Sequence, residues 1–502
     1  MYMKLYLAFV LAFVISIRTN ANAIQQYPIE DDKSDMFKVD DSLLIAVYPD
    51  ACVKPTRRKY NNRTFSQVLH TRITPNNALC PEYLIIVEKN LFLSLTNEIK
   101  TYAEDVHAVY GYGIFLVYVE NPNPESIKSL IVGYQNNLCG AFLIGNIGES
   151  LYEVQNDHDQ YGYKNWPCDL FFMDLDGVWI DSDSNGIYDT HSGNVAPDIF
   201  LGRLSAAGLS PYESEENLIR RQLKKSHDYW WKTSYHVQNT TLNYIDVDWE
   251  DGWFDPNDIK NVFSTQNITD VRYSAGPNFS PSDYLSKISS ITYGFTHLAA
   301  HSSPIHHIFT NGDIYNYQVN SINSNNYVYG LFCCSACNWI AGNSNGYLGG
   351  SYLFNGGKTM AVVGTTKIGG MWRVWNFYPQ FASMNLGKSF LYWWCQYGNS
   401  HSQSCVYWTY GMTILGDPTI DFRYNVSDLC VNNLSLTVFP SNNTSNLVIY
   451  KAGNKITVSG GFVIPQGVHV VFDAPEVVFD GTFTCPSGAS FETRHEGCEL
   501  LI

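Results

Sequence analysis

YLIIV at 83–87, LSLTNEIKTYAEDVHAVYG at 93–111 and GIFLVYV at 113–119 follow one another closely in the chain. The first and last runs are rich in Ile, Leu and Val without polar alternation, which predicts strands buried on both faces. The middle run spaces its apolar residues for one helix face and stops at a glycine. Strand, helix, strand in that order implies a parallel sheet flanked by helices. The grammar continues with NPESIKSLIVGYQ (123–135) as a helix with an Asn-Pro-Glu start and GAFLIGNIG (140–148) as a strand. It resumes with NLIRRQLKKSHDYWW (217–231, helix), LNYIDV (242–247, strand), PSDYLSKI (281–288, helix), YGFTHLAAH (293–301, strand) and YVYGLFCCSAC (327–337, strand). GGSYLFNGG (349–357), KTMAVVGTT (358–366) and the helix near MNLGKSFLYWW (384–394) complete it. Two such runs, parted by a loop-rich stretch from 150 to 210, predict an α/β fold with two sheets or one long one.

The ends of the chain read differently. Residues 1–23 combine a lysine, an apolar run from Leu5 to Ile17 and Ala21-Asn22-Ala23, the pattern of a secretory signal peptide. Residues 24–81 are polar and irregular, which suits an N-terminal arm or pro-segment. From 425 to 502 short alternating strands punctuated by Gly and Pro predict a small all-β domain, with spacing that hints at a solenoid-like stack. No second long apolar run follows the signal, so no membrane span is expected in the mature chain. Sequons at Asn62, Asn239, Asn267, Asn278, Asn425, Asn433, Asn442 and Asn443 agree with a secreted or endolysosomal glycoprotein. A net charge of −16 without a basic stripe argues against nucleic acid as a partner. Twelve cysteines suit an oxidising compartment, and Cys52–Cys80, Cys139–Cys168, Cys395–Cys405 and Cys485–Cys498 are spaced like loop staples.

In an open parallel sheet, function gathers at the carboxyl ends of strands. Two predicted strands end in reactive groups, GFTHLAAH at His301 and YGLFCCSAC at Cys337. An imidazole beside a thiol produces a strong nucleophile and a proton donor for a leaving amine. His301 as a buried structural histidine and Cys337 as a packed thiol are the plainer readings. Cys334-Ser335-Ala336-Cys337 is also a CxxC, the spacing of redox and zinc sites, but a second ligand pair and a thioredoxin-like unit are missing. Side-chain alternation puts Cys333 and Cys334 inside the strand, one on each face.

AAHSS followed by FCCSACN resembles the His-then-Cys dyad of the gingipain-like cysteine peptidases, relatives of caspases and legumains. PESIKSLIVGYQ…GAFLIGNIGE, PCDLFFMDLDG…WIDSDSNGIYD…DIFLGRLS, YIDVDWEDGW and GMTILGDPTIDF resemble other segments of that family in the same order, from 82 to 424. The resemblance implies a caspase-like parallel-sheet core in two subdomains, meeting near 205–240. It implies a secreted cysteine endopeptidase acting on protein or peptide substrates through an acyl-enzyme. Cys337 would be the nucleophile, His301 the general acid/base, and Asp248 or Glu250 the carboxylate orienting the imidazole. Backbone N–H groups of Cys337 and Ser302 would hold the oxyanion. Ser302 stands where the family usually has glycine, which gives up some backbone freedom. Asp255 and Asp258 fall in the region of a basic-residue pocket. A homologue that kept the fold, lost activity and serves as a secreted or surface binding protein is the alternative.

DSDSNGIYD, 181–189, has the ligand spacing of a calcium loop: Asp181, Asp183, Asn185, the carbonyl of Ile187, and Asp189, with Gly186 allowing the turn. His191 stands where an EF-hand has its final Glu, so an isolated or dockerin-like Ca2+ site with a structural role is expected.

Overall fold

The computed structural model describes residues 64–499, apart from 207, 236–238, 251–252, 256, 258, 260–266, 276–278, 343–345, 398–401 and 425. The signal peptide, most of the expected arm, Asn62, Asn278, Asn425 and Asp258 lie outside the described residues.

One sheet carries the fold. Its strands are β1 (Ser66–Ile73), β2 (Glu82–Glu88), β3 (Gly113–Glu120), β4 (Leu138–Ile144), β5 (Phe200–Leu204), β6 (Thr240–Ile245), β7 (Asn267–Arg272), β8 (Phe295–Ala299), β9 (Val328–Phe332), β10 (Ala361–Thr365) and β11 (Met412–Gly416). They lie side by side in the order β1-β3-β2-β4-β5-β11-β10-β9-β8-β6-β7. Neighbours run parallel except at β1–β3 and β10–β11. The apolar runs behave as a doubly covered sheet demands: β8, β9 and β10 are buried at every position.

Local chemistry sets the helix ends. Helix α1 (Thr96–Tyr110) stops where Gly111 takes a left-handed φ of 68° and donates to the His107 carbonyl. Helix α2 (Pro124–Gly133) starts with the Asn123 side chain accepting from Ser126 N–H and proline in its first turn.

Two differences from the sequence reading follow. Ser66–Ile73, expected within an irregular arm, is the antiparallel edge strand of the sheet, pairing with β3 from Ser66–Glu120 to Ile73–Ile114. The two strand–helix runs share one sheet, because β11 returns to pair with β10 on one side and β5 on the other. That seam is narrow: Leu415 against Arg203 is its one registered pair. It is reinforced from within. Arg203 donates through Nη2 to Asp169 at 2.7 Å and through Nη1 to the Gly148 carbonyl at 3.1 Å. Thr413 of β11 donates to the same Asp169 carboxylate at 2.7 Å.

Beyond residue 430 the strands stack in a coil. They are β12 (Val431–Leu436), β13 (Leu447–Ser459), β14 (His469–Asp473), β15 (Glu476–Asp480) and β16 (Ser490–Arg494). Leu447 pairs in parallel with His469, His469 with Ser490, and Phe462 with Phe483, so a turn of the coil takes about 21 residues. Ile456, Val458, Phe462, Val470 and Phe472 fill its interior. Asn446 bonds Thr74, and the Glu499 N–H reaches the Trp231 carbonyl at 2.7 Å, fastening the coil to the main sheet's layers.

Cys430 pairs with Cys498 rather than Cys498 with Cys485. Cys80, Cys139, Cys168, Cys395 and Cys405 are free thiols, so the other local staples are absent among the described residues. No described helix is long and apolar enough to cross a membrane.

Breaking one partner of a buried ion pair strands the other charge, at a cost of about 3–5 kcal/mol. Both side chains of the Arg203–Asp169 pair are 2% exposed. Arg203→Met is therefore expected to lower urea stability by roughly that amount. A loss under about 1 kcal/mol in equilibrium unfolding would contradict the seam's role.

Candidate active site

Strands β8 and β9 are parallel neighbours, with Phe295 opposite Val328 and Ala299 opposite Phe332. Two residues past that last pair, His301 and Cys334 come level as the chains leave the sheet. The Ala300 N–H still reaches the Phe332 carbonyl at 3.4 Å, and the Ser302 hydroxyl donates to the Cys334 carbonyl at 2.5 Å. Strand β9 ends at Phe332, so Cys333 and Cys334 lie beyond it rather than within it. Ser335 takes a left-handed φ of 56° and bends the chain sharply.

That bend separates the sulfurs. Cys334 is half-buried, and its Sγ accepts the Gly369 N–H at 3.4 Å. Burial raises its thiol pKa, while the Gly369 N–H and the Lys367 ammonium act against that rise. Cys337, expected as the nucleophile, is fully buried. Its sulfur rests where glycines make room: a Cβ at Gly364 would stand 2.7 Å from it, and one at Gly349 3.1 Å. Burial raises its thiol pKa, and its N–H donates to the Thr365 carbonyl at 3.0 Å, so that group does not serve an oxyanion. The turn after β9 carries the chain back into the core, and Cys337 packs there instead of standing at the strand tip.

His301 follows the other strand of the pair, β8. His301 is one-fifth exposed in its side chain, and its Nε2 lies 2.9 Å from Asp248 Oδ2. Asp248 comes from the short turn Val247–Trp249 after β6, the next strand along the sheet. The bond from His301 holds the Asp248 carboxyl below its usual range. The pairing is thus complete above ordinary carboxylate pKa values and is lost as pH falls through the depressed one. Glu250, the other expected carboxylate, instead accepts the Ser274 N–H at 2.7 Å. The Trp249 ring lies 5.2 Å from the His301 ring and 5.0 Å from Phe332. Asp246 anchors the start of this turn, taking Thr310 N–H and Oγ at 2.9 and 2.8 Å.

Ser302 is buried, extended and outside the left-handed region, so a side chain costs nothing in backbone strain there. Asp255 is exposed and caps its own turn by accepting the Asn257 N–H at 2.7 Å. Cys334, Gly369 and the pair formed by Lys367 and Asp157 were missed by sequence reasoning. The glycines at 349 and 364 were visible, but only strand register reveals which sulfur they receive.

The 181–189 loop does not converge all of its expected oxygen ligands. Carboxylate oxygens of Glu153, Asp183 and Asp189 lie within 4.8 Å of one another. Glu153, buried and unanticipated, also accepts from Asn185 Nδ2 at 3.1 Å. Asp181 spends its carboxylate on the N–H groups of Asn185 and Gly186, and Asn185 Oδ1 takes that of Ile187. Three converging carboxylates, one of them buried, suit a hard divalent cation. The sequons at Asn239, Asn267, Asn433 and Asn442 are exposed, and Asn443 is half-buried.

No protein-family model matches the sequence, and no curated protein matches it. Among solved structures, a chain described as a protease aligns at 14% identity and a TM-score of 0.47, over 69% of this chain and 79% of that one. A complex of the Porphyromonas gingivalis RgpB pro- and mature domains aligns at 12% and 0.47, over 69% and 80%. The Arg-specific cysteine proteinase gingipain R aligns at 12% and 0.47, over 70% and 81%. Likenesses this distant leave function to the residues of the site.

If Cys337 only packs, Cys337→Ala costs about 1 kcal/mol and leaves alkylation of Cys334 intact. Gly364→Ala overpacks the sulfur at about 1–3 kcal/mol, and combining the two recovers part of that loss. Additive losses in a denaturation cycle would show that the sulfur does not fill that space.

Proposed function

We propose that this chain is a secreted cysteine peptidase whose nucleophile is Cys334, with His301 as general acid/base and Asp248 as its orienting carboxylate. The observation that carries the reading is the meeting of three strand ends: an imidazole hydrogen-bonded to a carboxylate and level with a half-buried thiol on the adjoining parallel strand. Asp248 engages Nε2, which leaves Nδ1 to exchange a proton with the thiol and the substrate. A thiol whose pKa is raised by burial needs such a partner, because thiolate and imidazolium stabilise each other.

In the reaction, Cys334 Sγ attacks the peptide carbonyl and its proton passes to His301. The imidazolium protonates the departing amine, leaving a thioester. Water, deprotonated by the same imidazole, then releases the acid and restores the thiol. The backbone N–H of Ser302, beside the imidazole, is the donor proposed for the oxyanion. The domain scheme that accompanies this reading is a signal at 1–23, a peptidase unit of two subdomains joined in one sheet, and a C-terminal β coil. Secretion rests on the signal-like start and the sequons.

A peptide acyloxymethyl ketone tests the nucleophile. The adduct, located by mass spectrometry under reducing, calcium-replete conditions, is expected on Cys334, absent in Cys334→Ala and retained in Cys337→Ala. Absence of an adduct on Cys334 would favour the non-catalytic alternative. Asp248→Asn is expected to reduce kcat/KM at least about tenfold while labelling persists more slowly.

We further propose that Ca2+ is held by Glu153, Asp183 and Asp189 and stiffens the 181–189 loop; it takes no part in the chemistry. Chelation should lower the melting temperature by a few degrees in the native chain and not in Asp189→Ala. Equal melting curves with and without chelator would remove the site.

A further inference from the structure

An arch of aromatic rings abuts the end of β9. Phe332, two residues before Cys334, lies 6.0 Å from Trp253 and 6.4 Å from Trp408 between ring centroids. Trp408 continues the arch to Trp253 at 6.3 Å and to Trp372 at 5.3 Å. Gly369 joins the arch to the thiol. Its N–H donates to Cys334 Sγ, and a Cβ at the same residue would stand 3.5 Å from the Trp408 ring. Trp253 and Trp372 are half-buried, so the rim of the arch is partly exposed to solvent.

A carboxylate lies behind this wall, and it is already taken. Asp157 is fully buried, with one oxygen 2.9 Å from Lys367 Nζ, whose side chain is 2% exposed. Lys367, just past β10, is bonded to the turn that carries the thiol: its carbonyl accepts the Ser335 N–H at 2.7 Å. Its ammonium also donates to the carbonyls of Ile368 and Tyr407 at 2.9 and 2.8 Å. His158, next to Asp157, stands edge-on to Trp408 at 4.9 Å. Burial, with Lys367 adding to it, holds that imidazole well below its usual range and so neutral. Arg373 places its guanidinium 5.3 Å from the Trp372 ring. A buried acid near a cysteine nucleophile would suit a substrate lysine or arginine, but here the chain's own lysine neutralises it. Displacing that lysine would leave an ammonium buried without a counter-charge.

We propose that the site takes a bulky apolar side chain, aromatic or leucine-like, before the scissile bond, packed on Trp253, Trp408 and Trp372, and that Lys367 excludes basic residues by occupying Asp157. The proposal rests on the peptidase reading and adds its substrate class. An apolar wall rewards each methylene moderately, whereas an unpaired buried charge rejects strongly, so the exclusion should be sharper than the preference.

Two measurements separate this proposal from the reading beneath it. Full-length Cys334→Ala is titrated with product-like peptides ending in Phe, Leu, Arg or Lys, which needs no catalysis. The active chain is assayed on fluorogenic peptides varied at the same position. Phe and Leu are expected to exceed Arg and Lys at least about tenfold in both. Lys367→Met, its fold checked by thermal unfolding, should raise binding of Arg and Lys peptides at least about tenfold relative to Phe. Should that variant not fold, Trp253→Ala serves in its place and should weaken Phe binding without touching Arg. Cleavage that favours Arg, Lys or acidic residues overturns the proposal and leaves the peptidase reading standing. Binding that ranks Phe above Arg without any cleavage supports the pocket and defeats the peptidase. A Lys367→Met chain that folds and keeps the native ranking overturns the proposal, as does absence of binding to every peptide.

Discussion

Parallel pairing of β8 with β9 is the constraint on which the site depends. With Ala299 set against Phe332, the two chains leave the sheet together, and everything chemical follows from what stands two residues on. A slip of one residue would turn every side chain of a strand to its other face. Both strands are buried on both faces, so the core resists such a slip more strongly than any active-site contact does. The Ser302 hydroxyl on the Cys334 carbonyl then fixes the exits, where no ladder remains to hold them. The reactive groups inherit their placement from the packing of Leu298, Leu331 and their neighbours.

Much of this was legible in the chain. Runs such as YLIIV and GFTHLAAH are apolar on both faces and alternate with capped helices, and that pattern alone implies a parallel sheet. His301 and Asp248 were also legible, because each follows its strand almost at once. The choice among sulfurs was not. Alternation assigns faces only while a strand lasts, and β9 stops at Phe332, so the periodic argument ran past its domain. Ser335 then reverses the chain through a left-handed turn, which a serine does not announce. The Lys367–Asp157 pair joins residues more than two hundred positions apart, and Glu153 meets the 181–189 loop across a fold that spacing cannot express.

The site also shows how burial and reactivity are balanced. Three cysteines lie within five positions, and burial raises the pKa of each thiol. They differ in what opposes that effect. Cys337 has glycine clearance around its sulfur, and burial alone acts on its thiol. Cys334 has an N–H on its sulfur and the Lys367 ammonium near enough to oppose the rise. Oxidants and alkylating agents distinguish such thiols by access and charge rather than by sequence neighbourhood.

The coil after residue 430 has a property of its own. Its rungs repeat every 21 residues or so and touch only adjacent rungs, while Asn446 and Glu499 hold it to the main sheet's layers. Length in such an architecture is a count. A duplication of one repeat would add a single strand spacing, about 4.8 Å, between ends that Asn446, Glu499 and the Cys430–Cys498 bridge tie in place. The number of rungs is thus matched to its anchors, and a change in that count has to be absorbed at one of them.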